Sequence, residues 1–253
     1  LVLPDGRRVD LEVDRGCQQL KGENFVNDGK QLVYHEQENG KRIQWHTLSV
    51  PRGGEYKLVL ADGTRVWLNA ASELMYPDHF SADQRKVVLK GEAYFEVTKD
   101  VKRPFSVVLG DMEVKVLGTS FNVSAYPGVK RQTTLIEGQV AVNWHRQQVV
   151  IRPGQQAAET DEGLRVASVN VMNYVGWKEH RFVYENKLLG EVLEDLERWY
   201  DVEVFVMHDE IRNLHLTANL PRYENMDKVL EIIEYAACVK FEVKGRTVVV
   251  RRD

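Results

Sequence analysis

The 253 residues are 43% hydrophobic and 28% charged, the balance of a globular chain with a sizeable core. No apolar run approaches the ~18 residues that cross a bilayer as a helix. The net charge of −4 lies entirely after Trp177, where 12 Lys and Arg face 16 Asp and Glu, so no basic patch points to nucleic acid.

The chain opens on "LVLPDGRRVDL" (1–11), and residues 58–68 read "LVLADGTRVWL". Eight of eleven positions match, at an offset of 57. Asp-Gly between β-rich runs predicts a two-residue type I′ hairpin. That register sets Val59 against Val66 and Leu58 against Trp67, and in the first copy Val2 against Val9 and Leu1 against Asp10. The second hairpin, apolar on both faces, reads as interior and the first as peripheral. The turn offers no nucleophile and no phosphate cradle, so it is scaffold.

Further short alternating runs follow. "SADQRKV" (81–87) could form a short helix. "VVLKGEAYFEV" (87–97) places Ala93, Phe95 and Val97 on one face, with Gly91 as a bulge. Residues 112–126 set Val114 and Val116 against Glu113 and Lys115, then Phe121, Val123 and Ala125 on one face. Strands at 138–144 and 147–157 continue the pattern. Residues 1–170 therefore read as an all-β domain, a sandwich or a β-solenoid.

The period changes after Trp177. Leu188, Leu189, Val192, Leu193, Leu196, Trp199 and Tyr200 recur at helical spacing, with a strand Val202–Val206 behind them. With Arg181–Tyr184 as opening strand, this is one β-α-β unit. A second has a strand at 214–220, a helix at 225–237 and a hairpin at 239–252 about Lys244-Gly245. Asn186 and Asn225 or Asp227 are the expected caps. Neither unit buries its one-sided helix alone, so the two are expected to share one sheet. The fold class is mixed: all-β to residue 170, then a small α+β domain over 178–253, with a protease-sensitive join in 158–177.

Catalytic patterns are sparse. The seven histidines (35, 46, 79, 145, 180, 208 and 215) lack zinc-site spacing, and "HDEIRNLH" (208–215) reads as a loop and a strand. Glu92 and Glu96 share a strand face, where solvated carboxylates are the simpler reading than a glycosidase pair. Ser120 has no base placed beside it by sequence. Trp45, Trp67, Trp144, Trp177 and Trp199 sit in apolar patterns and read as packing. Cys17 and Cys238 read as buried free thiols. No metal or cofactor is expected. No signal peptide is evident; the chain starts at Leu1 within a hairpin pattern, which reads as a fragment or processed form.

Six blocks carry a family likeness: residues 51–72, 89–100, 103–126, 133–142, 152–157 and 177–206. Together they resemble the periplasmic region of FecR-type anti-sigma factors in their Bacteroidetes form. The C-terminal part resembles the secretin/TonB short N-terminal fold. The resemblance implies a receiver of signals, anchored in the inner membrane in its full-length form. Its periplasmic region would contact the N-terminal signalling domain of a TonB-dependent, SusC-like transporter. A cytoplasmic segment and a transmembrane helix, neither within these 253 residues, would hold an extracytoplasmic-function sigma factor. The expected contact is the strand Leu214–Leu220 and the loop after it, with Leu214, His215, Thr217, Asn219, Arg222, Tyr223 and Glu224. A periplasmic carbohydrate-binding protein is the alternative, requiring an exposed row of aromatic rings; an enzyme would require a cleft with convergent polar groups.

Overall fold

The computed structural model describes residues 1–11, 25–27, 31–35, 42–222 and 225–252. They form two compact units, one of 1–51 with 55–171 and one of 52–54 with 172–253.

The first unit is built of strands: β1 (Phe25–Asn27), β2 (Gln31–Tyr34), β3 (Trp45–Val50), β4 (Tyr56–Val59), β5 (Arg65–Leu68), β6 (Ser72–Pro77), β7 (Arg85–Glu96), β8 (Phe105–Leu109), β9 (Met112–Val116), β10 (Ser120–Ala125), β11 (Gln132–Glu137), β12 (Val140–Trp144), β13 (Gln147–Ile151), β14 (Gln155–Thr160) and β15 (Gly163–Ser168). One sheet runs β3-β6-β7-β8-β9-β12-β13 and the other β1-β2-β4-β5-β7-β10-β11-β14-β15. Strand β7 belongs to both. Its first half pairs with β6 and β8, its second half with β5 and β10. The inward residues of both sheets, among them Leu74, Val87, Phe105 and Val114 from one and Leu58, Val66, Phe95 and Phe121 from the other, form a single core. Phe95 stacks on Phe121 and tilts against Phe105 across it. Two mostly antiparallel sheets over one core make a sandwich.

Gly91 is the corner of this sandwich rather than a bulge, for no register shift occurs there. Its φ is +93°, and a Cβ would lie 2.4 Å from Ser72 Oγ and 2.7 Å from Ser72 Cα. Only glycine lets β7 pass so close to the start of β6 while changing sheets. The helix expected at 81–87 does not form; its last three residues open β7, because Arg85 and Val87 turn into the core.

The two Asp-Gly hairpins share one geometry, shifted by one residue from the expected register. Leu58 faces Val66, and Lys57, not Leu58, faces Trp67. The Leu60 N–H donates to Thr64 O and the Gly63 N–H to Leu60 O. At the same offset of 57, the Leu3 N–H donates to Arg7 O and the Gly6 N–H to Leu3 O, and Val2 bridges Arg8 rather than Val9. Only the glycines have positive φ, +84° at Gly6 and +80° at Gly63. Each loop is thus a three-residue turn closed by a glycine bulge, not a type I′ pair. Asp5 and Asp62 each accept the N–H two residues on, which fixes the turn.

The second unit contains α1 (Met172–Val175), a 3₁₀ turn at Gly176–Glu179, β16 (Arg181–Leu188), α2 (Leu189–Tyr200), β17 (Glu203–Val206), a 3₁₀ turn at Asp209–Asn213, β18 (His215–Pro221), α3 (Met226–Ala237), β19 (Val239–Lys244) and β20 (Thr247–Arg252). Asn225 caps α3 through the Asp227 N–H. Asn186 caps nothing; it sits at φ +52° in a bulge of β16, and Leu188 occupies the start of α2. The last hairpin turns on Gly245-Arg246, one residue later than expected.

The two β-α-β units do not share one sheet. β16 pairs antiparallel with β18, while β17, β20 and β19 form a second sheet in that order. The hairpin inserts β20 beside β17, so each unit crosses from the two-stranded to the three-stranded sheet. One core of Phe182, Leu193, Leu196, Leu216, Ile233 and Val250, with others, unites them. The units are copies at an offset of 37. Residues 189–206 and 226–243 share six of eighteen identities, including Val192/Val229, Leu193/Leu230 and Glu197/Glu234. Both helices end in a left-handed residue, Asp201 or Cys238, whose N–H donates to the carbonyl of Glu197 or Glu234. Cys238, expected to be buried, is exposed as a result; Cys17 lies outside the described residues.

Candidate interaction surface

Strand β18 has two different faces. Leu216 and Leu220 are buried against α2 and α3, with Ala218 packed between them, while His215, Thr217 and Asn219 are exposed. The backbone alternates likewise. The Arg222 N–H donates to His180 O and the Leu189 N–H to Leu214 O, so the even-numbered residues of β18 bond to β16. The N–H and C=O groups of His215, Thr217 and Asn219 therefore point away from β16, and β16 is the sole partner of β18 among the described residues. Arg181 reaches across to donate to Asn219 Oδ1 at 2.7 Å and Asn219 O at 3.3 Å. Thr217 Oγ1 accepts the Asn186 N–H, which anchors the bulge of β16.

The other expected contact residues are placed differently. Leu214 is half-buried, and its carbonyl accepts the N–H of Leu189. The Arg222 guanidinium is stacked between the rings of Phe182 (4.8 Å) and Trp199 (4.3 Å), so it fixes the end of β18. Tyr223 and Glu224 lie outside the described residues. Below the strand pair, burial works against ionisation of Asp195, but Lys187 and Arg198, each at 2.7 Å, hold its carboxyl below the ordinary range. Burial pushes the Tyr184 phenol well up.

The residues weighed for chemistry are spread over the first unit. Glu92 is half-buried rather than fully solvated, and Asn69 and Asn122 donate to its two oxygens at 2.7 and 2.9 Å. Glu96 pairs with Arg65 at 2.6 Å. An open groove of about 780 Å³ includes Arg65, Tyr94, Glu96, Ser120 and Glu137, and no histidine lines it. His46 is buried, with Nδ1 against the Tyr34 hydroxyl. His208 and His215 flank a 3₁₀ turn rather than an open loop. Among the described residues no three His, Cys, Asp or Glu side chains are grouped to hold a metal, and no helix is long and apolar enough to cross a membrane. Of the five tryptophans, Trp177 is buried and Trp144 and Trp199 pack half-buried against the two cores, as expected; Trp67 is half-buried under Lys57, and Trp45, 41% exposed, departs from the expected packing.

Two family models match in sequence order. Residues 46–141 match the FecR protein family and residues 181–250 the FecR C-terminal family, together about two thirds of the chain. Two crystal structures, at 1.65 and 2.50 Å, of a Parabacteroides distasonis protein provisionally assigned as an anti-sigma factor share the fold. Each has a TM-score of 0.77 and 26% identity, covering 82–83% of this chain and 99% of that one. No curated protein matches the chain. With both halves matched in order, the chain belongs to the FecR-type anti-sigma factors, regulators that signal through a sigma factor.

Proposed function

We propose that this chain is the periplasmic, signal-receiving region of a FecR-type anti-sigma factor anchored in the inner membrane. The sender is the N-terminal signalling domain of a TonB-dependent outer-membrane transporter, and the outcome is control of an extracytoplasmic-function sigma factor. The contact lies on the second unit, at His215, Thr217 and Asn219 of β18, with Arg222 holding the strand end and Tyr223 and Glu224 included as sequence candidates outside the described residues. The observation that carries this reading is an exposed strand, paired on one side only among the described residues, inside the region that matches the FecR C-terminal family. The chain works by binding and turns over no sugar, ester or peptide; the amide clamp on Glu92 and the Arg65 pairing of Glu96 support this.

Titration calorimetry with the signalling domains of transporters encoded beside the native gene tests the relay. Saturable binding by one of them is expected. Absence of binding by all of them at millimolar concentration contradicts the proposal.

A further inference from the structure

Resting on that reading, we infer that the partner binds by adding a strand to β18, because both edges of the three-stranded sheet carry a carboxylate on an outward N–H and β18 carries none among the described residues. In the three-stranded sheet the odd-numbered residues of β17 bond to β20, which turns the Val204 N–H outward. Glu197 Oε1 accepts that N–H at 2.7 Å. On the opposite edge, the Phe241 N–H of β19 donates to Glu234 Oε1, also at 2.7 Å. Glu197 and Glu234 are equivalent in the 37-residue repeat, and each reaches the residue seven positions on. A carboxylate set on an outward N–H repels an incoming carbonyl, which blocks strand addition. On the remaining strand, the short helices at 172–179 pack against β16 so closely that a Cβ on Gly176 would meet the Val183 side chain at 2.6 Å, which leaves little room beside it.

Among the described residues no carboxylate takes an outward N–H of β18. Of the outward backbone groups of His215, Thr217 and Asn219, the Asn219 carbonyl alone is engaged among the described residues, by Arg181. The same edge protection thus recurs in both copies of the repeat, at β17 and β19, and among the described residues it does not occur at β18. The partner segment is an extended strand of alternating character. Side chains on the Leu216 and Leu220 side must be apolar to continue the core face, and those on the His215 and Thr217 side polar.

The test uses the whole 253-residue chain and a transporter signalling domain as probe. On binding, slowed deuterium exchange is expected at the amides of His215, Thr217 and Asn219 and not at Val206 or Val243. Thr217→Pro removes an outward N–H that no ladder bond uses, together with the hydroxyl that accepts the Asn186 N–H; with folding checked by circular dichroism, affinity falls at least about tenfold. Thr217→Val loses the same hydroxyl but keeps the N–H and binds within about threefold of the original, so the difference between the two variants isolates the backbone group. If no signalling domain binds, the relay reading fails and the inference with it. If binding occurs without protection at β18, or survives Thr217→Pro, the inference alone fails. A dimer of the chain that Thr217→Pro abolishes would give the edge to a second copy and overturn the assigned occupant.

Discussion

Asp62 and Arg85 form an ion pair at 2.7 Å with side chains only 5% and 0% exposed. The aspartate that shapes the repeated turn thus also neutralises a fully buried guanidinium, which donates further to the carbonyls of Thr98, Arg103 and Asp100 and lies 5.5 Å from the Phe105 ring. One residue fixes the hairpin, the start of β7 and the 98–103 loop. Asp62→Asn leaves that charge uncompensated and is expected to cost about 3–5 kcal/mol in urea unfolding. A loss below about 1 kcal/mol would show that the loop carbonyls alone satisfy Arg85.

The glycines of the scaffold separate two kinds of cost. At Gly6 and Gly63 a Cβ meets nothing closer than 3.4 Å, so Ala costs only the left-handed backbone, about 1–2 kcal/mol. At Gly91 the Cβ would overlap Ser72 backbone, which cannot yield without parting the sheets. Gly91→Ala should therefore be far more destabilising than Gly63→Ala; equal thermal midpoints would contradict the corner geometry.

Burial holds the His46 imidazole below its ordinary 6.5, against the charge of Asp78. The unfolded chain then takes up this proton at higher pH than the folded one. Stability is complete above the unfolded value and falls as the pH drops through it. Thermal midpoints should decline between about pH 7 and 5.5, before most carboxylates titrate. His46→Asn should flatten that decline; an unchanged slope would mean another group causes it.

Leu196 is buried on the inner face of α2, and Leu196→Ala is expected to cost about 2–5 kcal/mol. A change under about half a kcal/mol would reverse the assignment of that face. Arg222→Ala uncovers Trp199 and should shift its fluorescence to the red.

The edge carboxylates give a separate test. Backbone donation from Phe241, aided by Lys240, holds the Glu234 carboxyl below its ordinary range against the effect of burial. Glu197→Ala and Glu234→Ala free outward N–H groups on β17 and β19 and should promote self-association in sedimentation. Monomers at high concentration would show that carboxylates are not what protects these edges.

Periodicity made α2 and α3 legible within a few residues, because each has a one-sided apolar stripe. The hairpin register was not, since Asp-Gly suits both a two-residue turn and a three-residue turn with a glycine bulge, and Asp62 side-chain bonds select the second. The exchange of β7 between sheets and the insertion of β20 beside β17 depend on distant pairings that no local pattern encodes. For the contact surface, the strand and its alternation were readable. The stacking of Arg222 between two rings and the blocked edges were not, although the 37-residue repeat is plain in the glutamates at 197 and 234.

The most direct test of the relay places a photo-crosslinking residue at position 217, and in separate variants at 204 and 241, in the full-length protein in cells carrying the cognate transporter. The account predicts inducer-dependent crosslinks to the transporter signalling domain from position 217 only. Crosslinks from 204 or 241 with none from 217 would contradict it.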